Sequence, residues 1–170
     1  GKAETPERPH VKKDASKPHR QNPLTHEMLL EEMRAAGVDR VILVPPSWDG
    51  YRNDYALEAA QKQPDRFAVM GKVPLNDPTS RDKLAGWLKQ PGMLGFRISF
   101  RHAGTYAWLD DGTADLFWVD CERYDIPVMI FAPFAVSKIG QIAERYPNLR
   151  LIIDHMGLNV QWKGKDLAPG

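Results

Sequence analysis

One feature constrains this chain more than any other: short apolar runs recur along it, each preceded by a helical stripe. The runs are Val41-Ile42-Leu43-Val44, Phe67-Ala68-Val69-Met70, residues 94–100, residues 128–131 and Leu151-Ile152-Ile153. Their starts lie about one βαβ unit (~30 residues) apart. Four runs are continuous rather than alternating, the pattern of strands covered on both faces; the run 94–100 is interrupted by Arg97 and Ser99.

The intervening segments carry helical spacing. Thr25 can cap a first helix, Glu27 suits its positive end, Leu29, Met33 and Ala36 share one face, and Gly37 stops it. A second helix is predicted over 55–63, before Pro64. Leu84, Trp87 and Leu88 mark a third, Phe117, Cys121 and Tyr124 a fourth. Val136, Ile139, Ala143 and Tyr146 mark a fifth, halted at Pro147. Helix and strand therefore alternate five times, which argues an α/β fold with a parallel sheet and helices packed outside it. Periodicity alone leaves an open sheet and a closed barrel both standing.

Composition removes several classes. A chain of 170 residues is about one domain, and Cys121, its only cysteine, cannot pair within it. Twenty-three basic against 22 acidic residues give a formal charge of +1, which leaves no electrostatic footprint for nucleic acid. No apolar run approaches the ~18 residues of a membrane helix, and no apolar signal segment is seen. A cytoplasmic protein without membrane or nucleic-acid partners is expected. Residues 1–23 differ from the rest: Pro6, Pro9, Pro18 and Pro23 punctuate a stretch poor in large apolar side chains. They read as a loop or arm, and residues 24–170 as the folded domain. The basic cluster Lys12, Lys13, Lys17, His19 and Arg20 favours a solvated loop over a polyanion contact, because Asp14 interrupts it and no aromatics interleave. His10 and His26 are expected to be solvated too.

In parallel α/β folds ligands bind beyond the carboxyl ends of the strands. There the sharpest feature is Asp154-His155, a carboxylate and an imidazole directly after three branched apolar residues, where each needs a partner. His155 can ligate a divalent metal or exchange a proton with a substrate; equally, it can bond a loop carbonyl while Asp154 caps local backbone. Arg97 and Ser99, two residues apart, fall on the same side of their strand. Arg97 offers a fork for a substrate carboxylate, or else a structural ion pair with an inward acid. Ser99 is a small packing residue or substrate contact rather than a nucleophile, since no Gly-x-Ser-x-Gly elbow surrounds it. Trp48, Tyr51 and Arg52, after the first run, form a substrate lid or seal a barrel mouth, and His102 lies in a Gly-containing loop within reach of a ligand. The run ending Phe131-Ala132-Pro133-Phe134 offers nothing ionisable. Cys121, on the stripe with Phe117 and Tyr124, is core. No Gly-x-Gly-x-x-Gly or Walker-type loop follows any strand.

Ala36-Gly37-Val38-Asp39-Arg40-Val41-Ile42-Leu43-Val44, Pro64-Asp65-Arg66-Phe67, Gly95-Phe96-Arg97-Ile98 and Leu151-Ile152-Ile153-Asp154-His155-Met156-Gly157 resemble the amidohydrolase-related TIM-barrel family. That family holds metal-dependent hydrolases, lactonases and aromatic-acid decarboxylases. The resemblance implies a parallel (β/α) barrel, an active-site role for His155 as catalytic residue or metal ligand, and Arg97 as a carboxylate anchor. It also implies zinc or manganese as cofactor and a small-molecule substrate. A family barrel has eight strands and about 250 residues. The five runs match strands two to six, so this chain is expected to be the middle of a longer polypeptide. Either the remaining segments of the barrel or further copies of the chain are expected to cover its open edges. The strand-five position that carries a histidine in many relatives reads Phe131-Ala132-Pro133 here, and some relatives work without a metal. The expected activity is hydrolysis of a small carboxylated substrate at a C–O, C–N or lactone bond. Its alternatives are non-oxidative decarboxylation of an aromatic acid (a lyase activity) and a non-catalytic, flavodoxin-like binding module.

Overall fold

The computed structural model describes residues 4–10 and 22–159. The basic cluster Lys12, Lys13, Lys17, His19 and Arg20 lies outside the described residues. There are five strands, β1 (Val41–Leu43), β2 (Phe67–Gly71), β3 (Met93–Ser99), β4 (Val128–Phe131) and β5 (Leu151–Ile153). Helix α1 (His26–Ala35) precedes β1, α2 (Asp54–Lys62) joins β1 to β2, a 3₁₀ helix (Pro78–Lys89) joins β2 to β3, α3 (Ala103–Tyr106) and α4 (Asp115–Arg123) lie between β3 and β4, and α5 (Val136–Arg145) joins β4 to β5. The strands are hydrogen-bonded in the order β1-β2-β3-β4-β5. The chain forms two compact units, Gly1–Pro74 with Gly86–Gly95, and Leu75–Ala85 with Phe96–Gly170.

In the first unit, β1 runs parallel to β2 with Val41 opposite Phe67 and Leu43 opposite Val69. The α1 start is as its sequence predicts: Thr25 Oγ1 accepts the Met28 N–H at 3.3 Å, and Gly37 takes φ +67° beyond its end. Two glycines permit close packing. A Cβ on Gly71 would stand 2.8 Å from Trp87 Cζ2 and 2.9 Å from Met93 Cε. Gly92, at φ +88°, has room only for hydrogen, since a Cβ would meet that of Ala60 at 2.7 Å.

Within residues 4–10, Arg8 and His10 are partly buried while residues 4–7 and Pro9 are exposed. Thr5 and Arg8 exchange backbone hydrogen bonds at 3.2 and 3.0 Å, closing a tight turn. The turn aims Arg8 at Asp54, which accepts at 2.6 and 3.0 Å, and at buried Asp49, which accepts at 2.9 Å. These carboxylates, Asp54 foremost, hold the Arg8 guanidinium more firmly protonated than usual. His10 packs its ring 4.5 Å from that of Trp48. His26 is likewise partly buried, with Nε2 3.0 Å from Glu27 Oε1. Both departures from expectation have one cause: a local partner that the residue types alone did not reveal.

In the second unit, β3 pairs with β4 and β4 with β5, all parallel. The register sorts side chains onto two faces. Phe96, Ile98, Val128 and Ile130 form the helix-facing layer, and the Phe96 ring lies 5.0 Å from Phe117 of α4. Cys121 of α4 is buried there, and burial pushes its thiol pKa up, as for an inert core residue. Arg97, Ser99, Met129, Phe131 and Ile152 point to the opposite face.

Two expectations change. The third helix is a 3₁₀ helix over Pro78–Lys89; Leu84 and Trp87 are buried, while Leu88 is exposed because tighter winding carries it off the packed side. Continuous apolar composition also overstates coverage for β1 and β5. Each has one hydrogen-bonded neighbour among the described residues, and Ile42, Ile152 and Ile153 are exposed. No helix among the described residues is long and apolar enough to cross a membrane.

Candidate functional site

The second unit gathers its chemistry at the carboxyl ends of β3, β4 and β5. Arg97 donates from Nε at 2.9 Å and Nη2 at 2.8 Å to a single oxygen, Asp154 Oδ2. Both side chains are partly buried, 19% and 18% exposed. The Arg97 guanidinium lies 5.5 Å from the centroid of the Phe131 ring. His155 meets the same ring edge-on at 5.0 Å, with its Nε2 3.5 Å from Asp154 Oδ1. One aromatic platform thus carries a cation on one contact and an imidazole on another, with a carboxylate joining them.

Local backbone explains the placement. His155 (φ 52°), Met156 (φ 54°) and Gly157 (φ 74°) are three successive left-handed residues. For residues bearing a Cβ this conformation costs about 1–2 kcal/mol each, so the surroundings must hold it. Gly157 is the closing piece: a Cβ there would stand 2.9 Å from Val136 Cγ2 of α5, so only glycine allows the turn to press against that helix. The turn leaves His155 48% exposed at the strand ends.

The remaining predicted residues divide between the units. Ser99 is on the face that carries Arg97, and its buried Oγ makes no hydrogen bond among the described residues. His102 opens α3; its backbone N–H reaches Thr105 Oγ1 at 3.3 Å and its ring Nε2 accepts from Arg101 Nε at 3.2 Å. Trp48, Tyr51 and Arg52 belong to the first unit. There Trp48 lies against His10, Tyr51 is exposed, and Arg52 Nη1 is 3.5 Å from Asp49 Oδ1 and 3.4 Å from the Pro9 carbonyl.

Sequence reasoning missed Phe131 and Arg8. Phe131 pairs in register with Ser99, so the same-side rule that linked Arg97 to Ser99 finds it; a search confined to ionisable groups passes over it. Arg8 carried no signal beyond its place among prolines.

A zinc centre takes three or more protein donors. Among the described residues no group of three His, Cys, Asp or Glu side chains is placed to hold an ion. Asp154 and His155 offer two donors at most, and Asp154 Oδ2 is already engaged by Arg97. The described residues alone do not complete such a centre.

The sequence profile of the amidohydrolase family matches residues 3–168, and the chain belongs to that family. Its fold is the parallel (β/α) barrel of TIM type, represented by five βα units. It is 28% identical over 142 residues to a 4-sulfomuconolactone hydrolase of Hydrogenophaga intermedia, covering 82% of this chain and 45% of that protein. Among solved structures it resembles a probable 2-pyrone-4,6-dicarboxylic acid hydrolase of Acinetobacter baumannii with citric acid bound. The TM-score is 0.70 at 21% identity, with 90% of this chain and 55% of the other covered. It also resembles a 5-carboxyvanillate decarboxylase of Novosphingobium aromaticivorans complexed with manganese and 4-hydroxy-3-methoxy-5-nitrobenzoic acid. There the TM-score is 0.63 at 25% identity, with 81% and 51% covered. The chain spans less than half the length of the curated hydrolase it matches.

Proposed function

We propose that this chain contributes to a hydrolase that cleaves a C–O bond, such as that of a lactone, in a small carboxylated substrate. The observation that carries the reading is the Arg97–Asp154–His155 cluster on the open face of the strand ends. Arg97 spends Nε and Nη2 on Asp154, which fixes the guanidinium plane and leaves the Nη1 donors uncommitted to that carboxylate. A substrate carboxylate docks there. Ser99 supplies a hydroxyl from the same face. Asp154 Oδ1 lies nearer Nε2 of His155 and favours the proton on that nitrogen, so Nδ1 takes a proton from the attacking water. Water oxygen bonds to the acyl carbon, the ring C–O bond breaks, and the same imidazole returns a proton to the leaving oxygen. The hydrolase relative supports this chemistry.

Decarboxylation of an aromatic acid is the second reading, favoured by Phe131 as a ring platform and by the decarboxylase likeness. A manganese or zinc ion requires donors beyond the described residues. The full-length protein incubated with carboxylated lactones and with aromatic hydroxy acids separates the readings. Acid release without carbon dioxide is expected; carbon dioxide release selects the second. Wild-type kcat/KM in both Arg97→Lys and His155→Gln would overturn the assignment of the site.

A further inference from the structure

The start of α5 has no side-chain cap, because its cap position is Ala135. The segment 132–135 that leads from β4 into α5 closes on itself through one backbone bond, Ala135 N–H to the Ala132 carbonyl at 3.1 Å. It is also tied across to the connection after β3. There Thr105 Oγ1 accepts the His102 N–H at 3.3 Å and donates to the His102 carbonyl at 3.0 Å, which fixes the short turn of α3. Tyr106, the last residue of α3, accepts the Phe134 N–H on its hydroxyl at 3.0 Å, and the two rings lie 6.3 Å apart. Phe134 is 62% exposed, so surrounding side chains cover little of it.

The same segment backs the turn that presents His155. At one end Phe131 meets the imidazole edge-on at 5.0 Å. At the other, Val136 stands so close to Gly157 that a Cβ on the glycine would come within 2.9 Å of Val136 Cγ2. Between these contacts His155 and Met156 hold a left-handed backbone that their surroundings must maintain, and Met156 is exposed. We propose that Tyr106 is a positioning residue for His155. Its hydroxyl pins Phe134, Phe134 sets where α5 begins, and Val136 at that beginning backs the turn carrying the imidazole. The inference rests on the reading of His155 as the acid–base group. On that reading a displaced imidazole slows the chemical step without weakening the carboxylate anchor on β3.

NMR of the full-length protein carrying isotope-labelled histidine tests it, with His155→Gln assigning the resonance. Tyr106→Phe keeps the ring and removes the acceptor, and is expected to shift or broaden the His155 resonance. It is also expected to lower kcat about tenfold with KM within about twofold, less than the ~100-fold cost of a misplacement of about 1 Å. Val136→Ala, further along the same path, is expected to move the same resonance. Arg145→Met, which breaks an exposed pair with Asp115 at the far end of α5, leaves it in place. Should Tyr106→Phe not fold, Thr105→Val loosens the turn that carries Tyr106 and is read on the same resonance. An unmoved His155 resonance in any folded variant of Tyr106, Thr105 or Val136, or one moved equally by Arg145→Met, overturns the proposal. A shifted resonance with wild-type kcat keeps Tyr106 as the positioning residue and removes His155 from the chemistry, so the two failures are told apart.

Discussion

Arg97 illustrates why residue type and geometry must be read together. Its two bonds converge on one oxygen, an arrangement the guanidinium fork reaches and a lysine ammonium does not. Arg97→Met strands Asp154 beside Phe131, and the partly buried pair makes the expected loss about 2 kcal/mol, read from the urea midpoint. Met156 offers the opposite sign. It is left-handed at φ 54° and 83% exposed, so it carries backbone strain with little packing to show for it. Met156→Gly is expected to raise stability by about 0.5 kcal/mol, the strain relieved less the added freedom of the unfolded chain; a lowered midpoint would show that the thioether packs after all. The sequence made much of this site legible, because alternation along a strand places Arg97 and Ser99 together and a buried-type run ending in Asp-His demands partners. It did not reveal that the inward acid for Arg97 is Asp154 itself, since that pairing spans 57 positions and is created only by the register of β3, β4 and β5.

Elements were more legible than their winding. All five strands and helices α1, α2, α4 and α5 follow from apolar runs and stop signals, with ends shifted by a residue or so, as at Val44 and Phe100, whereas the short α3 at Ala103–Tyr106 falls where the sequence reads as a loop. The segment Pro78–Lys89 wound more tightly than its apolar spacing implies, and its start is fastened by Asp77. One carboxylate oxygen accepts from the Thr79 N–H at 2.9 Å and the Thr79 hydroxyl at 2.8 Å. These bonds, the hydroxyl's first, hold the Asp77 carboxyl below its ordinary pKa. A depressed folded pKa means stability present above the unfolded value of about 4 and lost as pH falls through the folded one. The difference in unfolding midpoint between wild type and Asp77→Asn should therefore be constant near neutrality and shrink on acidification; a difference that widens in acid would refute the assignment. Packing at β2 is stricter. Gly71→Ala drives a methyl to 2.8 Å from the Trp87 ring, and a loss of about 2 kcal/mol is expected in chemical denaturation.

At the scale of the whole molecule, parallel order and exposed strand edges set behaviour. Ile42 on β1 and Ile152 and Ile153 on β5 face solvent among the described residues, on strands each paired on one side. Such edges recruit further strands. Concentration-dependent association of this chain is expected in sedimentation velocity, reduced by Ile42→Lys; a single concentration-independent 19.3 kDa species would contradict it. Arg8 has a reach beyond its own neighbourhood. It is the side chain that bonds Asp49 Oδ2 from a segment 41 positions upstream. Removing residues 4–10 would leave the buried Asp49 carboxylate of the first unit with Arg52, 3.5 Å away, as its remaining ion pair among the described residues. The penalty would be out of proportion to the handful of residues removed.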